Sequence, residues 1–254
     1  MNKFLLWFHS FGAPPTFHRI AMRFEPWLLT LALVTGAIAL WLGLVKAPAD
    51  YLQGESARIM YIHVPSAWMS MFIYVFMAVN GFCALVWRIK VSELLAMCAA
   101  PIGAGFTAVT LITGALWGRP TWGTYWVWDA RLTSELVLLF LYFGVIGLYN
   151  AIEDPRKGAR AASLLALIGL VNLPIIHYSV QWWNTLHQGN SINLFAGKSS
   201  IDASMLWPLL LMALATKFWF GASLLARSRV ALLELESGKE WAQAILLEGT
   251  RTKP

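Results

Sequence analysis

The sequence predicts an all-α integral membrane protein with six transmembrane helices and both termini in the cytoplasm. Three observations carry that reading. First, the 254 residues are 58% hydrophobic and 13% charged, with a mean hydropathy of +0.60. A soluble domain is roughly half apolar and a quarter charged, so a water-soluble globule is excluded. Second, six continuous apolar runs each reach the roughly 20 residues that cross a hydrocarbon core about 30 Å thick. Third, the basic residues are unevenly placed: thirteen Lys and Arg fall in one set of connections and tails, and five in the other.

The runs are Trp27–Val45, Val64–Trp87, Leu94–Leu116, Ser134–Ile152, Ala161–Val180 and Met205–Ala226. Strands of a barrel would be shorter and alternating. The first run is preceded by a polar arm of more than twenty residues and is of full spanning length. It therefore reads as a retained helix and not a signal segment, despite Ala47-Pro48-Ala49 after it. The basic-rich side holds Lys3, Arg19 and Arg23, then Arg88 and Lys90, then Arg156, Lys157 and Arg160. The tail adds Arg227, Arg229, Lys239, Arg251 and Lys253. The other side has Lys46, Arg58, Arg119, Arg131 and Lys198, and Lys217 lies within the sixth run. The positive-inside rule puts the rich side in the cytoplasm. The net charge of +6 thus records orientation toward anionic headgroups, and nucleic acid is not expected as a partner.

The inner connections Arg88–Glu93 and Glu153–Arg160 are short and suit helical hairpins. The tail after Arg227 reads as a surface helix. No glycine loop able to cradle a phosphate is present, so ATP hydrolysis is not expected of this chain. Cys83 and Cys98 both fall in spans and read as small apolar residues. The chain is read as one six-helix membrane domain over 1–254, with a functional loop on the outer side at about 117–133.

The outer connections hold the unusual chemistry. In the first, Tyr61-Ile62-His63-Val64-Pro65 places His63 at the threshold of the second span, with Pro65 in the first helical turn. Spacing alone leaves His63 as either a hydrogen-bonded interfacial histidine or a metal ligand. The second runs from Trp117 to Arg131 and contains Trp117, Trp122, Tyr125, Trp126 and Trp128, with Gly118, Gly123, Asp129 and Arg131 among them. An aromatic belt scatters one or two such residues per helix end, whereas here they are concentrated. On a continuous helical turn Trp122 and Trp126 would share a face. The third has Trp182, Trp183 and His187, with His177 some ten residues earlier competing for the same role.

Two histidines from separate connections, with an aromatic-rich loop between them, are the set haem asks for: axial imidazoles, flat apolar walls and a cation for the propionates. No Cys-x-x-Cys-His occurs, so covalent attachment is not expected. Zinc would favour further Cys, His or carboxylate ligands nearby.

The run Trp117-Gly118 followed by Trp122-Gly123-Thr124-Tyr125-Trp126-Val127-Trp128-Asp129 resembles the WWD signature of the haem-handling membrane proteins of cytochrome c biogenesis. Within that group the chain is similar to the haem exporter C (CcmC) family. The likeness extends through Ala47–Tyr51, Tyr61–Pro65, Asp129–Glu135, Asn172–Val180 and Trp182–Gln188, with Tyr125 standing where Trp is common. The resemblance implies that haem b (iron protoporphyrin IX) binds non-covalently and transiently at the periplasmic face of the bacterial inner membrane. It implies delivery to the periplasmic haem chaperone CcmE, in a complex with the ATPase CcmA and the membrane subunits CcmB and CcmD. The axial ligands it implies are His63 and His187, with His177 outside the pair. The loop residues Trp117, Trp122, Gly123, Trp126, Trp128, Asp129 and Arg131 are then expected against the haem. Either Arg131 or Arg119 is expected to meet a propionate. The rival readings are a bis-histidine cytochrome b-type electron-transfer subunit and a solute permease, the latter requiring broken helices at mid-depth.

Overall fold

A computed structural model describes residues 13–183, 185–187, 192–193 and 198–251. Lys3 and Lys253 of the charge count, and Asn184, Gln188, Gly189 and Asn190 of the third outer connection, lie outside them. Among the described residues six helical spans are long and apolar enough to cross a membrane, as the hydropathy predicts. They run over 14–46, 55–87, 90–122, 130–151, 155–182 and 203–235, each reaching past the apolar run at one or both ends. At 1.5 Å per residue a 33-residue span is roughly 50 Å long, so its ends stand in the headgroup layers.

Helix α1 (Pro14–Trp41) opens on Pro14 and Pro15, tolerated where the first N–H groups have no intrahelical partner. It ends in a π-helical turn, Leu42–Lys46. There the Arg58 guanidinium donates to the carbonyls of Gly43 (2.7 Å) and Ala47 (3.0 Å). A cation at a helix C-terminus satisfies orphan carbonyls and complements the dipole, so Arg58 is structural. A 3₁₀ turn (Glu55–Ile59) leads into α2 (Met60–Trp87). The helix thus starts before Pro65, and His63 sits one turn inside it and not in a loop. The lead-in turn extends the helix outward, because the Asp50 carboxylate folds the chain back by accepting from the N–H groups of Leu52 and Gln53.

Helix α3 (Lys90–Trp122) follows a tight corner in which Arg88 takes a left-handed conformation, φ 56°. Helix α4 (Ala130–Ala151) is capped by Asp129, whose carboxylate accepts from Leu132 N–H at 2.8 Å. The fifth span is two helices, α5 (Pro155–Gly169) and α6 (Asn172–Trp182). The break at Leu170–Val171 falls at mid-span, upstream of Pro174. Pro174 has no N–H to offer the carbonyl of Leu170, four residues back, and its ring crowds that carbonyl. The chain bridges the gap with tighter bonds, Leu170 N–H to Leu167 O and Val171 N–H to Ile168 O. A two-residue antiparallel ribbon pairs β1 (Ile192–Asn193) with β2 (Lys198–Ser199) ahead of α7 (Ala203–Leu235) and α8 (Glu240–Arg251).

In the bundle α2 packs along α3, and α1 along α7. Hydrocarbon offers no hydrophobic drive for helix association, so close packing at small residues and interhelical hydrogen bonds must supply it. Tyr142 of α4 lies so close to Gly103 of α3 that a Cβ there would stand 2.2 Å from its ring. Tyr74 of α2 fills the space over Gly169 in the same manner, its hydroxyl 2.0 Å from where a Cβ would be. The two rings meet edge to face at 5.1 Å, and Tyr142 donates to Ser70 O at 2.7 Å. A buried interhelical hydrogen bond of this kind is worth about 0.6 kcal/mol in a membrane. The break in the fifth span is thus plugged, with Asn172 donating to Ser134 O at 2.9 Å. It lines neither of the cavities described below, unlike the substrate-coordinating breaks of permeases.

Candidate functional site

At the end of the bundle where the long connections gather, a cavity opens between α2, α3 and α4. Its volume is about 830 Å³ counting its open mouth. Helix α2 contributes His63, Ala67 and Met71; α3 contributes Thr110, Gly114, Trp117 and Trp122; α4 contributes Arg131 and Glu135. The connections add Gln53, Trp126, Leu186 and His187.

The orientation of His63 is fixed by α3. Its Nδ1 lies 3.1 Å from the carbonyl of Thr110 and 3.0 Å from the hydroxyl oxygen of Thr113. A carbonyl can only accept, and the Thr113 hydroxyl already donates to the carbonyl of Val109. Nδ1 therefore carries the proton, and the neutral ring keeps its lone pair on Nε2. This is how a metal-binding histidine is held, by a bond from the nitrogen that does not ligate. Room for the ring comes from Gly114, where a Cβ would approach His63 Cε1 to 3.0 Å. Trp117 closes the other side, ring centroids 5.6 Å apart in an edge-to-face pair. Trp117 is itself pinned, its Nε1 donating to Gln53 Oε1 at 2.8 Å. The Asp50 turn thus reaches the site through Gln53.

Trp122 ends α3, and Gly123 follows in the left-handed region at φ 79°, a conformation that suits glycine as a helix terminator. Trp122 and Trp126 consequently do not share a helical face, as one continuous turn would have had them do. Both still line the cavity, because the chain turns back after Gly123. The Trp126 indole N–H is buried with no hydrogen-bond partner among the described residues. It leaves a donor available at the wall. Trp122 faces His187, centroids 6.1 Å apart. His187 N–H donates to Thr185 Oγ1 at 2.8 Å, which shapes the connection at that point.

Of the two arginines, only Arg131 lines the cavity. It donates to the carbonyl of Ile176 at 2.9 Å, so α4 and α6 are tied together at the site. Arg119 points away, donating to Gly123 O and lying over the Tyr125 ring. Asp129 acts as the α4 cap, and its second oxygen, Oδ2, is buried without a partner among the described residues. Trp128 is 76% exposed, and Gly123 lies off the cavity wall as well. His177 is exposed on α6 beside Tyr178 and outside the cavity. The geometry therefore brings His63, His187, Trp117, Trp122, Trp126 and Arg131 together, and leaves Trp128, Gly123, Arg119 and His177 outside.

Sequence reasoning missed three contributors. Glu135 is buried on the cavity wall and accepts from Ser70 Oγ at 2.8 Å. Its signal was present, a carboxylate inside an apolar run, where an ionisable residue is functional by default. Gln53 and the Thr110 carbonyl carried no such signal. Among the described residues no three His, Cys, Asp or Glu side chains cluster as a metal site. A metal that brings its own four nitrogens, needing only axial imidazoles, is the class this donor set fits.

Comparison with known proteins agrees with this chemistry. The family described as heme exporter protein C (CcmC) matches residues 7–243. The chain is 48% identical to "Heme exporter protein C" of Escherichia coli over 243 residues, 96% of this chain and 98% of that protein. It is 49% identical to the protein of the same name from Bradyrhizobium diazoefficiens over 220 residues, 87% and 83% of the two chains. It is 45% identical to a "Putative cytochrome c biosynthesis ccmC-like mitochondrial protein" of Marchantia polymorpha over 207 residues, covering 82% and 85%.

Proposed function

The chain belongs to the haem exporter protein C family, and on that footing we propose that it binds haem b as a transient, non-covalent cargo and hands it on during c-type cytochrome biogenesis. His63 and His187 are the axial ligands, Trp117, Trp122 and Trp126 the apolar walls, and Arg131 the partner of a propionate. Asp129 holds the start of α4 and thereby Arg131. The observation that carries this reading is the His63 ring, whose Nδ1–H is committed to Thr110 O and Thr113 Oγ1 and whose Nε2 is left to ligate. The protein supplies orientation and ligation, and the reactivity belongs to the cargo.

The cavity faces the periplasm of a bacterial inner membrane, with both termini cytoplasmic, as the basic-residue count supports. The recipient is the periplasmic chaperone CcmE, and the chain works with the ATPase CcmA and the membrane subunits CcmB and CcmD. The test is the absorption spectrum of the purified protein together with loading of the chaperone. Wild type is expected to carry a bis-histidine haem and to load CcmE, and His63→Ala and His187→Ala to lose that spectrum and the transfer. If both variants kept the spectrum and loaded the chaperone, the assignment fails. The position of His63 inside a helix also fits a cytochrome b-type electron-transfer subunit. A haem that cycles with quinol and is never transferred would favour that reading.

A further inference from the structure

The end of the bundle opposite the histidine cavity holds a second cavity of about 830 Å³ by the same measure. It lies where the short corner between α2 and α3 meets the start of α5, and it has no part in the chemistry above. Arg88, Arg156 and Arg160 line it together with Lys90 and Glu93. Lys90 is engaged elsewhere, its ammonium 3.0 Å from Glu236. Among the described residues none of the three arginines forms an ion pair. Three guanidinium groups therefore face one carboxylate, Glu93, across the same space.

The inner wall of this cavity carries an independent sign of a ligand. Ser163 lines it at 1% exposure, and its hydroxyl is buried with no hydrogen-bond partner among the described residues. A buried hydroxyl without a partner is costly. The Ala84, Leu85 and Ala159 side chains that line the cavity with it are apolar, and Gly81, where an added Cβ would stand 3.0 Å from the hydroxyl, has no side chain to offer. A group that enters between the arginines and accepts a hydrogen bond at the bottom would satisfy Ser163 and the excess charge together.

The geometry points to this cavity as a binding site for the phosphate of an anionic phospholipid, with Arg88, Arg156 and Arg160 on the headgroup and Ser163 donating to a phosphate oxygen. The residues lie at the ends of spanning helices, at the depth where lipid phosphates sit. Basic pockets between spanning helices are the recurrent form of such sites. Arginine is suited to the task because its planar fork meets two phosphate oxygens at once.

The test uses the full chain in vesicles of phosphatidylcholine containing spin-labelled phosphatidylglycerol, reading the protein-immobilised lipid fraction against spin-labelled phosphatidylcholine. Wild type is expected to enrich phosphatidylglycerol. The double variant Arg156→Gln, Arg160→Gln is expected to lower that enrichment by up to roughly thirtyfold, at about 1 kcal/mol for each basic group near a headgroup layer. Ser163→Ala, which removes one oxygen, is expected to lose a smaller, few-fold share. Lys157→Gln, on the same connection but outside the cavity, is the control and is expected to change little. Enrichment absent from wild type, or equal in all three variants and wild type, overturns the proposal. So does an equal loss in Lys157→Gln, which would mean diffuse surface charge. Inorganic phosphate separates the two sources of this chemistry. No displacement by it supports a lipid site, and full displacement overturns the lipid in favour of a soluble phosphate.

Discussion

The two histidines of the cavity are held in opposite ways. His63 is one turn inside α2, fixed through Nδ1 to α3, seated against Gly114 and closed by Trp117. His187 comes from the connection between α6 and α7, shaped by a local bond to Thr185 and facing Trp122. A carrier has to hold its cargo and also let it go. Ligation from a helix-borne, pre-oriented ring costs little ordering on binding, whereas a ligand on a connection can leave without disturbing the bundle. Under the proposed ligation, the helix side is suited to keep the iron and the connection side to surrender it.

The largest expected effect tests that asymmetry directly. His63→Ala is expected to abolish haem recovery with the purified protein, and His187→Ala to retain a reduced, five-coordinate fraction; equal or reversed losses in the absorption spectra would break the comparison. Next is Arg131→Gln, which removes the cation of the cavity and the tie to Ile176 O together. It is expected to lower haem occupancy several-fold, and Arg131→Lys, which keeps the charge but not the planar fork, should recover only part of it. Smaller again is Thr113→Val. It removes one of two acceptors on His63 Nδ1 while the Thr110 carbonyl remains, so affinity measured by haem titration should fall by no more than about tenfold, the low end for such supporting groups. A loss as large as that of His63→Ala would mean the ring is held by Thr113 alone.

The smallest effect lies on the connection side. Asp202 caps α7 through Ser204, whose hydroxyl and N–H hold the carboxyl below its ordinary value of 3.8. A lowered folded value means the cap is fully present above the ordinary aspartate range and is lost as pH falls through the lowered one. The protection of the Ser204 amide, its exchange rate relative to the intrinsic rate at each pH, should therefore hold down to about that ordinary value and fall on further acidification. Protection at Ser204 that is already lost well above the ordinary value would show the cap to be absent.

Much of this was legible in the sequence because a membrane imposes a simple grammar. Six apolar runs had to be helices, since hydrocarbon leaves no other way to satisfy the backbone. His63, His187, Arg131 and three tryptophans stood out as polar or bulky residues gathered in outer connections. What stayed hidden depended on backbone atoms or on turns. The acceptor for His63 is a main-chain carbonyl at Thr110, which every residue possesses and none advertises. Trp122 and Trp126 reach the same cavity only because Gly123 reverses the chain between them, and Trp128 misses it for the same reason. The break at Leu170 was displaced from its cause, as the group that Pro174 deprives lies four residues upstream.

Gly103 and Gly105 are two residues apart on one helix, and no compositional measure separates them. An added methyl at Gly103 would stand 2.2 Å from the Tyr142 ring, while at Gly105 it would meet nothing within 4 Å. Across descendants of this chain, position 103 is closed to every larger residue unless position 142 changes with it. Position 105 is free to drift alone. The tyrosine socket thus turns a packing contact into a rule of inheritance: position 103 can enlarge only after position 142, thirty-nine residues further on, has given way.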